Sequence, residues 1–313
     1  MGGRSKTDGA RMSTLLCFGF GYCAQHYAAE FGARFARIIG TARTAERAAD
    51  QGGRRFGKRA VEMLTFDGRS ASRAIVDAVQ EAGALLISTP PVDGADPVLA
   101  RLADEIARAP ELSSVVLLST LGVYGDHGGA WVSETTAPGA LKPRGRERLE
   151  QESAWEAVGR SQDLPVVVLR LAGIYGPERN ALITVAQGTA RRIDKPGQVF
   201  NRIYVADIAQ AIDAAFMRRA SGVFNVADDE PSPPGDPIAF AAALLGAAPP
   251  PLVPFAEAAK TMSPMALGFY QDNRRAENAR MKRELGVTLR YPTYREGLHA
   301  LHAEMRSPHR ATG

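Results

Sequence analysis

The sequence predicts a doubly wound α/β fold with a parallel sheet and a small C-terminal lobe, and three observations support this prediction. Short apolar runs alternate with helical patterns from residue 14 to residue 171. Most of these runs are continuously apolar, which is typical of strands that helices cover on both faces. The first run begins at Thr14 and breaks at Gly19 and Gly21, just before a predicted helix over residues 24–31. A glycine turn between a buried strand and a helix is where Rossmann-type folds bind their ligand.

The other elements follow in a regular order, and proline and capping residues mark several of their boundaries. Pro90 and Pro91 end the fourth predicted strand, and Asp96 followed by Pro97 is typical of a helix N-terminus. The predicted strands after the first cover residues 35–40, 63–66, 84–89, 114–120, 166–171 and 223–226. The predicted helices after the first cover residues 45–51, 70–82, 96–109, 141–158, 180–192, 206–218, 273–285 and 294–305.

These patterns divide the chain into three predicted parts. Residues 13–176 form the doubly wound domain, and residues 177–313 form a smaller substrate lobe, part of which, at about 200–226, returns to the sheet. Residues 1–12 are polar and contain glycine, which predicts a disordered extension.

Composition argues against several classes of function. The chain has 313 residues, of which 45% are hydrophobic and 23% charged, and its net charge is +4. The positive residues are scattered, which weakly favours anionic ligands and argues against nucleic acid. No apolar run approaches the roughly 18 residues that span a bilayer, so we expect a cytoplasmic protein without a membrane anchor. Cys17 and Cys23 lack metal-ligand spacing and His299, His302 and His309 have no carboxylates around them, so we assign no metal.

The glycine turn carries the first functional prediction. Gly19, Gly21 and Ala24 read G-x-G-x-x-A, a variant of the fingerprint in which backbone amides at a helix start bind the diphosphate of a dinucleotide. Taken alone, the motif also fits an ordinary turn between a strand and a helix. We therefore predict an NAD(P)-binding domain whose diphosphate cradle is formed by Gly19, Phe20, Gly21, Tyr22 and Cys23.

Residues at the ends of the next strands predict which nucleotide binds. The second strand leads to Arg43 and to no acid, and an arginine there suits a 2′-phosphate, so we expect NADP to be preferred, with NAD as the alternative. A solvated arginine at a helix start is the other interpretation of Arg43. Asp67 is placed to accept from the adenine amino group, or else it is a turn residue before Gly68. The backbone after the fourth strand would line the nucleotide at Ser88, Thr89 and Pro90.

Three further segments resemble the extended short-chain dehydrogenase/reductases, a superfamily that includes NAD-dependent epimerases and dehydratases. Residues 119–126 read S-T-L-G-V-Y-G-D, residues 169–177 read L-R-L-A-G-I-Y-G-P, and residues 202–207 read R-I-Y-V-A-D. The resemblance implies a Rossmann-type fold and NAD(P) binding. It adds to the expected cofactor-binding residues Ser119, Leu171 and Gly173.

The catalytic pair of that superfamily is not matched. Its Y-x-x-x-K helix corresponds to residues 141–158, where Arg144 stands at the tyrosine position and Arg148 at the lysine position. Thr120 matches the catalytic hydroxyl position. An arginine side chain is not deprotonated in proteins, so Arg144 cannot act as the acid or base. With the P-R-G-R-x-R-L segment, this departure resembles the atypical members of the superfamily, the group that contains the YeeZ-like proteins.

Two functional interpretations follow. In the first, the protein is an NADP-dependent oxidoreductase or epimerase-like enzyme on a small carbonyl, hydroxyl or sugar-type substrate. Tyr124 or Tyr175 would donate the proton, Thr120 would orient the carbonyl, and Arg144 and Arg148 would hold an anionic substrate or a developing oxyanion. In the second, the protein binds the dinucleotide without turnover, as a redox sensor or scaffold. The tyrosines could instead be packing residues, and the two arginines could instead pair with glutamates of the same helix. A homodimer is also possible.

Overall fold

The structure is a computed structural model that describes residues 12–139 and 142–306. The predicted extension lies outside the described residues apart from Met12, and so does Leu141, where we predict one helix to begin. The strands are Met12–Phe18 (β1), Phe35–Ala42 (β2), Arg55–Phe56 (β3), Arg59–Ala60 (β4), Glu62–Thr65 (β5), Ala82–Ile87 (β6), Ser114–Thr120 (β7), Trp131–Val132 (β8), Val166–Leu171 (β9), Gly173–Tyr175 (β10), Arg192–Asp194 (β11), Arg202–Tyr204 (β12), Gly222–Val226 (β13), Leu252–Pro254 (β14) and Arg275–Ala276 (β15).

The helices lie between these strands and after them. They are Tyr22–Phe31 (α1), Ala45–Gln51 (α2), Arg73–Gln80 (α3), Leu99–Ala107 (α4), Pro143–Gln162 (α5), Ala181–Ala186 (α6), Val205–Arg218 (α7), Asp236–Leu244 (α8), Phe255–Ala258 (α9), Pro264–Gln271 (α10), Ala279–Glu284 (α11) and Tyr294–Arg306 (α12). Short 3₁₀ turns cover Gly32–Arg34, Leu121–Tyr124 and Ala259–Thr261. No helix in the described ranges is both long enough and apolar enough to cross a membrane.

Seven strands form one sheet in which every neighbouring pair is parallel. Their order is β13-β9-β7-β6-β1-β2-β5. The chain builds outward from β1 through β2 to β5, then returns to β6 and continues in the other direction. A crevice forms outside the carboxyl ends of the strands where the direction changes, here between β1 and β6. The predicted doubly wound fold is confirmed, and its crevice brings the turn at Gly19 next to Ser88.

Helices cover both faces of this sheet, as its continuously apolar strands predict. On one face, α1 and α7 pack against the sheet around an aromatic cluster of Tyr27, Phe35 and Phe216. On the other face, α3, α4 and α5 bury apolar side chains that include Ile106 and Trp155. The two buried layers hold the carboxyl ends of the strands in fixed positions, which is where the site is built.

Beyond the sheet, helices α8, α9 and α10 were not predicted, and three predicted segments differ from the structure. Of the segment expected to return to the sheet at about 200–226, only β13 enters it, while β12 pairs with β10 in a separate two-stranded sheet. The helix predicted over 180–192 ends at Ala186, because Gly188 takes a left-handed conformation with φ +68°. The helix predicted over 273–285 begins only at Ala279, because β15 pairs with β8.

Asp228, which follows β13, is a buried carboxyl group. Its backbone amide donates to the carbonyl of Arg202 at 2.7 Å, and its Oδ1 accepts from the amide of Glu230 at 3.3 Å. Its Oδ2 is buried and lacks a hydrogen-bond partner in the part of the chain that the structure describes. Burial raises the pKa of Asp228 to about 8, against the opposing effects of the Glu230 amide and the Arg202 charge. The folded protein therefore holds this carboxyl largely protonated at neutral pH.

This raised pKa predicts a stability that falls as pH rises from about 4 to about 8, because the unfolded chain releases the Asp228 proton at about 3.9 while the folded chain keeps it. Asp228→Asn should remove this part of the pH dependence and raise the free energy of unfolding at neutral pH by about 2–4 kcal/mol. Urea denaturation at a series of pH values measures both effects. Asp163→Asn, at an exposed position, is the control. Parallel stability curves for Asp228→Asn and the wild type would contradict the prediction.

Candidate cofactor-binding and active site

The turn after β1 requires glycine at residue 19. Gly19 has φ +86°, and a Cβ there would lie 2.6 Å from the Ser88 Oγ. The Ser88 hydroxyl donates to the Gly19 carbonyl at 2.6 Å, so the strand end after β6 holds the turn in place. The Gly19 amide donates to Thr41 Oγ1 and the Phe20 amide to the Thr41 carbonyl, both at 2.9 Å. Both amides therefore tie the turn to the end of β2.

The next amides of the turn are free. Gly21 is the N-cap of α1 without a side-chain cap, and a Cβ on it would meet nothing within 4 Å. The backbone amides of residues 21–24 donate to no acceptor within the described ranges, as the first turn of a helix leaves them. Unpaired amides that open onto free space at a positive helix end are suited to bind an anion.

The predicted cradle residues therefore divide into two groups, and Gly19 belongs with Phe20, because the amides of both are already paired with Thr41. Gly21, Tyr22 and Cys23 offer free backbone amides. Phe20 is corrected from a cradle donor to a packing residue, because its amide is already paired and its ring is buried against Phe56, with 5.0 Å between ring centroids. The Cys23 thiol is also buried, which raises its pKa to about 12, so only its backbone faces the site.

The residues predicted to read the adenosine half lie on the surface beside this turn. Arg43 is exposed just after β2 and forms no ion pair within residues 12–139 and 142–306. Thr44 caps α2 by accepting from the Arg47 amide at 3.3 Å. The Asp67 carboxylate accepts from the amide of Arg69 at 2.8 Å, and this hydrogen bond lowers the pKa of Asp67. Asp67 therefore forms the turn that was the alternative interpretation to adenine binding. Arg43 has no ion-pair partner in the part of the chain that the structure describes.

Arg148 is a half-buried cation without a carboxylate partner among the described residues. It projects from α5 across the ends of β6 and β7, where its NH1 lies 3.4 Å from the Thr89 carbonyl oxygen and 3.5 Å from that of Leu118. Gln151 Oε1 accepts from the same nitrogen at 2.7 Å. Burial, followed by the charge of Arg144, lowers the pKa of Arg148. The charges of Asp96 and Glu152 oppose this shift, but neither carboxylate forms an ion pair with Arg148.

A buried chain of hydrogen bonds fixes Gln151 behind this guanidinium. Gln151 Nε2 donates to Thr89 O at 3.1 Å and to Asp96 Oδ2 at 2.6 Å, and Trp155 Nε1 donates to the same oxygen at 2.9 Å. The other Asp96 oxygen accepts from the amides of Val98 and Leu99, near the start of α4. The helix therefore begins at Leu99, three residues later than predicted, and Asp96 binds the amides that lead into it while it also anchors the inner face of α5.

Thr89, Thr120 and Arg144 face the same end of the sheet. The Thr89 hydroxyl oxygen is buried and has no hydrogen-bond partner among the residues described, which is a polar atom that a ligand could satisfy. Thr120 ends β7, and its Oγ1 accepts from the Gly122 amide at 3.1 Å, which leaves its hydroxyl proton free to donate. Arg144 is exposed one helical turn before Arg148 and forms no ion pair in the described ranges.

The two tyrosines predicted as proton donors do not face this site. Tyr124 has no exposed surface, and its hydroxyl donates to Asn225 Oδ1 at 2.8 Å. Tyr175 is 8% exposed, and its hydroxyl donates to the Thr293 carbonyl at 3.2 Å. Burial raises the pKa of Tyr124 and that of Tyr175. Both are corrected to packing residues, because the sequence cannot show that these rings turn inward after their strands end.

Tyr124 belongs to a buried polar network beneath the site. Glu152 of α5 and Arg170 of β9 form an ion pair at 2.7 Å. Both residues are buried: Glu152 is 3% exposed and Arg170 is 5% exposed. The Ser119 hydroxyl donates to Glu152, so Ser119 belongs to this network and not to the free surface of the crevice. The Arg170 guanidinium lies 4.8 Å from the centroid of the Tyr124 ring. The network ties α5, and with it Arg148, to β7 and β9.

The remaining predicted cofactor residues lie after β6 and β9. Pro90 is exposed at the end of the β6 segment, while the Leu171 side chain is buried. Gly173 lies in β10, its amide donates to the Asn201 carbonyl at 3.0 Å, and a Cβ on it would lie 3.1 Å from that oxygen. Leu171 and Gly173 therefore shape the backbone at this edge of the crevice.

Comparison with known proteins places this architecture in a family. The model of the NAD dependent epimerase/dehydratase family matches residues 97–227. A solved structure of a functionally unknown conserved protein from Silicibacter pomeroyi DSS is 46% identical to the chain, covers 94% of it and 99% of its own length, and superposes with a TM-score of 0.81. The chain belongs to the NAD dependent epimerase/dehydratase family. The finer YeeZ-like resemblance stays a prediction.

Two other relatives of this epimerase/dehydratase family member show the range of its similarity. The 3-diazoavenalumate denitrifying reductase of a Streptomyces species is 30% identical over 154 residues, and the match spans about half of that relative, 49% of its length. The dTDP-glucose 4,6-dehydratase of Bacillus anthracis str. Ames, solved in complex with NAD, is 17% identical, with a TM-score of 0.71 over 94% of this chain and 97% of its own. The second likeness shows the fold alone.

Sequence reasoning missed the residues that hold this site in place. Gln151, Glu152 and Trp155 lie on the inner face of α5, and nothing in their spacing distinguishes them from the solvated face of the same helix. Arg170 did carry a signal, because it interrupts the otherwise apolar strand over 166–171, and a charge in a buried strand needs a partner.

Proposed function

We propose that this family member is an NADP-dependent oxidoreductase that acts on a small carbonyl compound carrying a negative charge. The observation that supports this most is that two positive features without an anionic partner among the described residues lie at one crevice. These features are the free amides of residues 21–24 and the half-buried Arg148 guanidinium. The first suits a cofactor diphosphate, and the second suits an anionic substrate beside it.

The cofactor, when bound, supplies or accepts a hydride at its nicotinamide ring. The residues that would hold it are Gly21, Tyr22 and Cys23 through their amides, with Arg43 on a 2′-phosphate. The unpaired Thr89 hydroxyl would line the path between the diphosphate and the end of β7. One relative, 30% identical over 154 residues, is a reductase, which supports reduction as the reaction of this chain. Another, a UDP-glucose epimerase of Bacillus subtilis, is 35% identical over 75 residues, so epimerisation is the alternative reaction.

The residues of this chain then have separate roles toward the substrate. The Thr120 hydroxyl would donate a hydrogen bond to the carbonyl oxygen, because its own oxygen already accepts from Gly122. Arg148, with Arg144 one turn away, would stabilise the negative charge that develops on that oxygen or the fixed charge of the substrate. Neither arginine can give up a proton, so the alkoxide product would take its proton from water.

The test is a turnover screen of the purified protein with NADPH against paired carbonyl compounds, each as a carboxylate and as its neutral ester. We expect oxidation of NADPH with carboxylates and little with esters. Arg148→Gln and Thr120→Ala should each lower kcat/KM by about 100-fold, as loss of one oxyanion donor does. Arg160→Gln, which removes a remote exposed charge at the far end of α5, should leave it unchanged. Equal turnover of Arg148→Gln and wild type would reject the proposal.

A second candidate function is dinucleotide binding without turnover, as in a redox sensor or scaffold. It is favoured by the burial of both tyrosine hydroxyls, at Tyr124 and Tyr175, which leaves the crevice without a titrating donor among the predicted residues. In that case no carbonyl compound would oxidise NADPH, while a protein partner would be retained on the immobilised chain only when nucleotide is present.

A further inference from the structure

The loop after β10 touches the first turn of α1. The Tyr22 hydroxyl donates to the Pro177 carbonyl at 2.6 Å, and the Arg179 guanidinium carbon lies 4.6 Å from the centroid of the Tyr22 ring. Asn180 connects the loop to α6, because its Nδ2 donates to the Gly176 carbonyl at 2.8 Å while its Oδ1 caps the N-terminus of α6. Arg179 is thus held at the N-terminus of α1, although it comes from the part of the chain beyond β9.

The Arg179 guanidinium has no ion-pair partner among the described residues, although the charge of Glu178 also acts on Tyr22 in the same turn. The start of a helix carries a partial positive charge, and a guanidinium beside it is repelled by that charge. The charge of Arg179 acts on the Cys23 thiol, the second residue of α1, where it opposes the rise in pKa that burial causes. Arg179 is exposed and forms no ion pair in the described ranges, and neighbouring Glu178 makes none with it. An anion at the free amides of residues 21–24 would relieve this repulsion.

We infer that Arg179 is a further cofactor-binding residue, which reaches from the loop after β10 onto the diphosphate held by the α1 amides. This inference rests on the proposed dinucleotide function and adds to it a contact that the glycine fingerprint does not contain. A guanidinium can bind two phosphate oxygens at once, and the Tyr22 ring keeps it in place for that contact. The diphosphate would then join the first βα unit of the sheet to the loop that leads into the smaller lobe.

The inference separates two arginines by the part of the nucleotide that each one reads. Arg43 lies at the end of β2 and would read only the 2′-phosphate, whereas Arg179 would read only the diphosphate. ADP-ribose carries a diphosphate and no 2′-phosphate. Adenosine 2′-monophosphate carries a 2′-phosphate and no diphosphate. The two compounds therefore distinguish the two sites without any knowledge of the substrate.

The experiment is a calorimetric titration of the wild-type protein and of Arg179→Gln with NADP⁺, NAD⁺, ADP-ribose and adenosine 2′-monophosphate. We expect Arg179→Gln to weaken binding of the first three by about 10- to 100-fold, the loss typical of one charge-assisted contact, and to leave adenosine 2′-monophosphate unchanged. The affinity of Arg179→Lys for these three compounds should lie between that of the wild type and that of Arg179→Gln, because lysine keeps the charge and loses the planar guanidinium. Arg160→Gln is the control for loss of a remote charge.

Three outcomes would overturn the inference. Unchanged affinity of Arg179→Gln for ADP-ribose and NADP⁺ would show that the arginine does not reach the diphosphate. Equal weakening of all four compounds would show a change in the general charge or shape of the site. A wild-type protein that binds none of the four would instead reject the proposed dinucleotide function, and the inference with it.

Discussion

Glu152→Gln is expected to lower the free energy of unfolding by about 3–5 kcal/mol, which is the largest effect on stability that we predict. Glu152 and Arg170 are both buried, and the carboxylate accepts from the Arg170 Nε and NH2 and from the Ser119 hydroxyl. Removing one charge leaves the other in the protein interior without compensation. Chemical denaturation of the variant and the wild type measures the difference.

A double-mutant cycle gives the control for this effect. Arg170→Met alone should also destabilise the fold, because it leaves Glu152 buried and unpaired. The double variant with Glu152→Gln should be less destabilised than the sum of the two single variants. Glu156→Gln, on the same helix, breaks only an exposed contact with Arg160 at 4.0 Å and should cost less than about 1 kcal/mol. A Glu152→Gln variant as stable as Glu156→Gln would contradict the account.

Arg43→Glu is expected to reverse the preference for NADP over NAD, which is the largest effect on ligand binding that we predict. The substitution removes a charge-assisted contact with the 2′-phosphate and puts a like charge in its place, so affinity for NADP⁺ should fall by about 100-fold or more. Affinity for NAD⁺ should change little, because a carboxylate at the end of the second strand suits the ribose hydroxyls.

The measurement is a fluorescence or calorimetric titration of Arg43→Glu with both oxidised nucleotides, beside Arg160→Glu as a charge-reversal control at a remote position. The ratio of the two affinities is the informative quantity, because a general change of net charge would shift both nucleotides together. If this ratio is the same in Arg43→Glu as in the wild type, the arginine is only a surface residue.

The sheet could be predicted from the sequence because its strands carry their own signal. A continuously apolar run of five to eight residues between helical patterns can only be buried on both faces, and the strands over 114–120 and 166–171 agree with the structure residue by residue. The elements outside the seven-stranded sheet were harder to predict. Their strands are two or three residues long, and their pairing, such as that of β8 with β15, joins segments far apart in the chain.

The site could be predicted only in part, for a reason that Tyr124 illustrates. The glycine turn and the strand ends indicate which backbone segments lie at the crevice, and in the structure Gly21 follows β1 and Thr120 ends β7. The direction of a side chain after a strand ends depends on the next turn, and the 3₁₀ turn over Leu121–Tyr124 carries the Tyr124 ring inward to Asn225. Contacts across the chain, such as that of Arg179 with Tyr22, have no local signal at all.

The central claim is that the free amides after β1, together with a cation at the end of β2, bind NADP(H). Equilibrium titration of the purified wild-type protein with NADP⁺, NADPH, NAD⁺ and NADH tests it most directly. The account predicts saturable binding of NADP(H) that is at least about tenfold tighter than that of NAD(H). Absence of binding for all four nucleotides, or equal affinity for the phosphorylated and unphosphorylated forms, would contradict it.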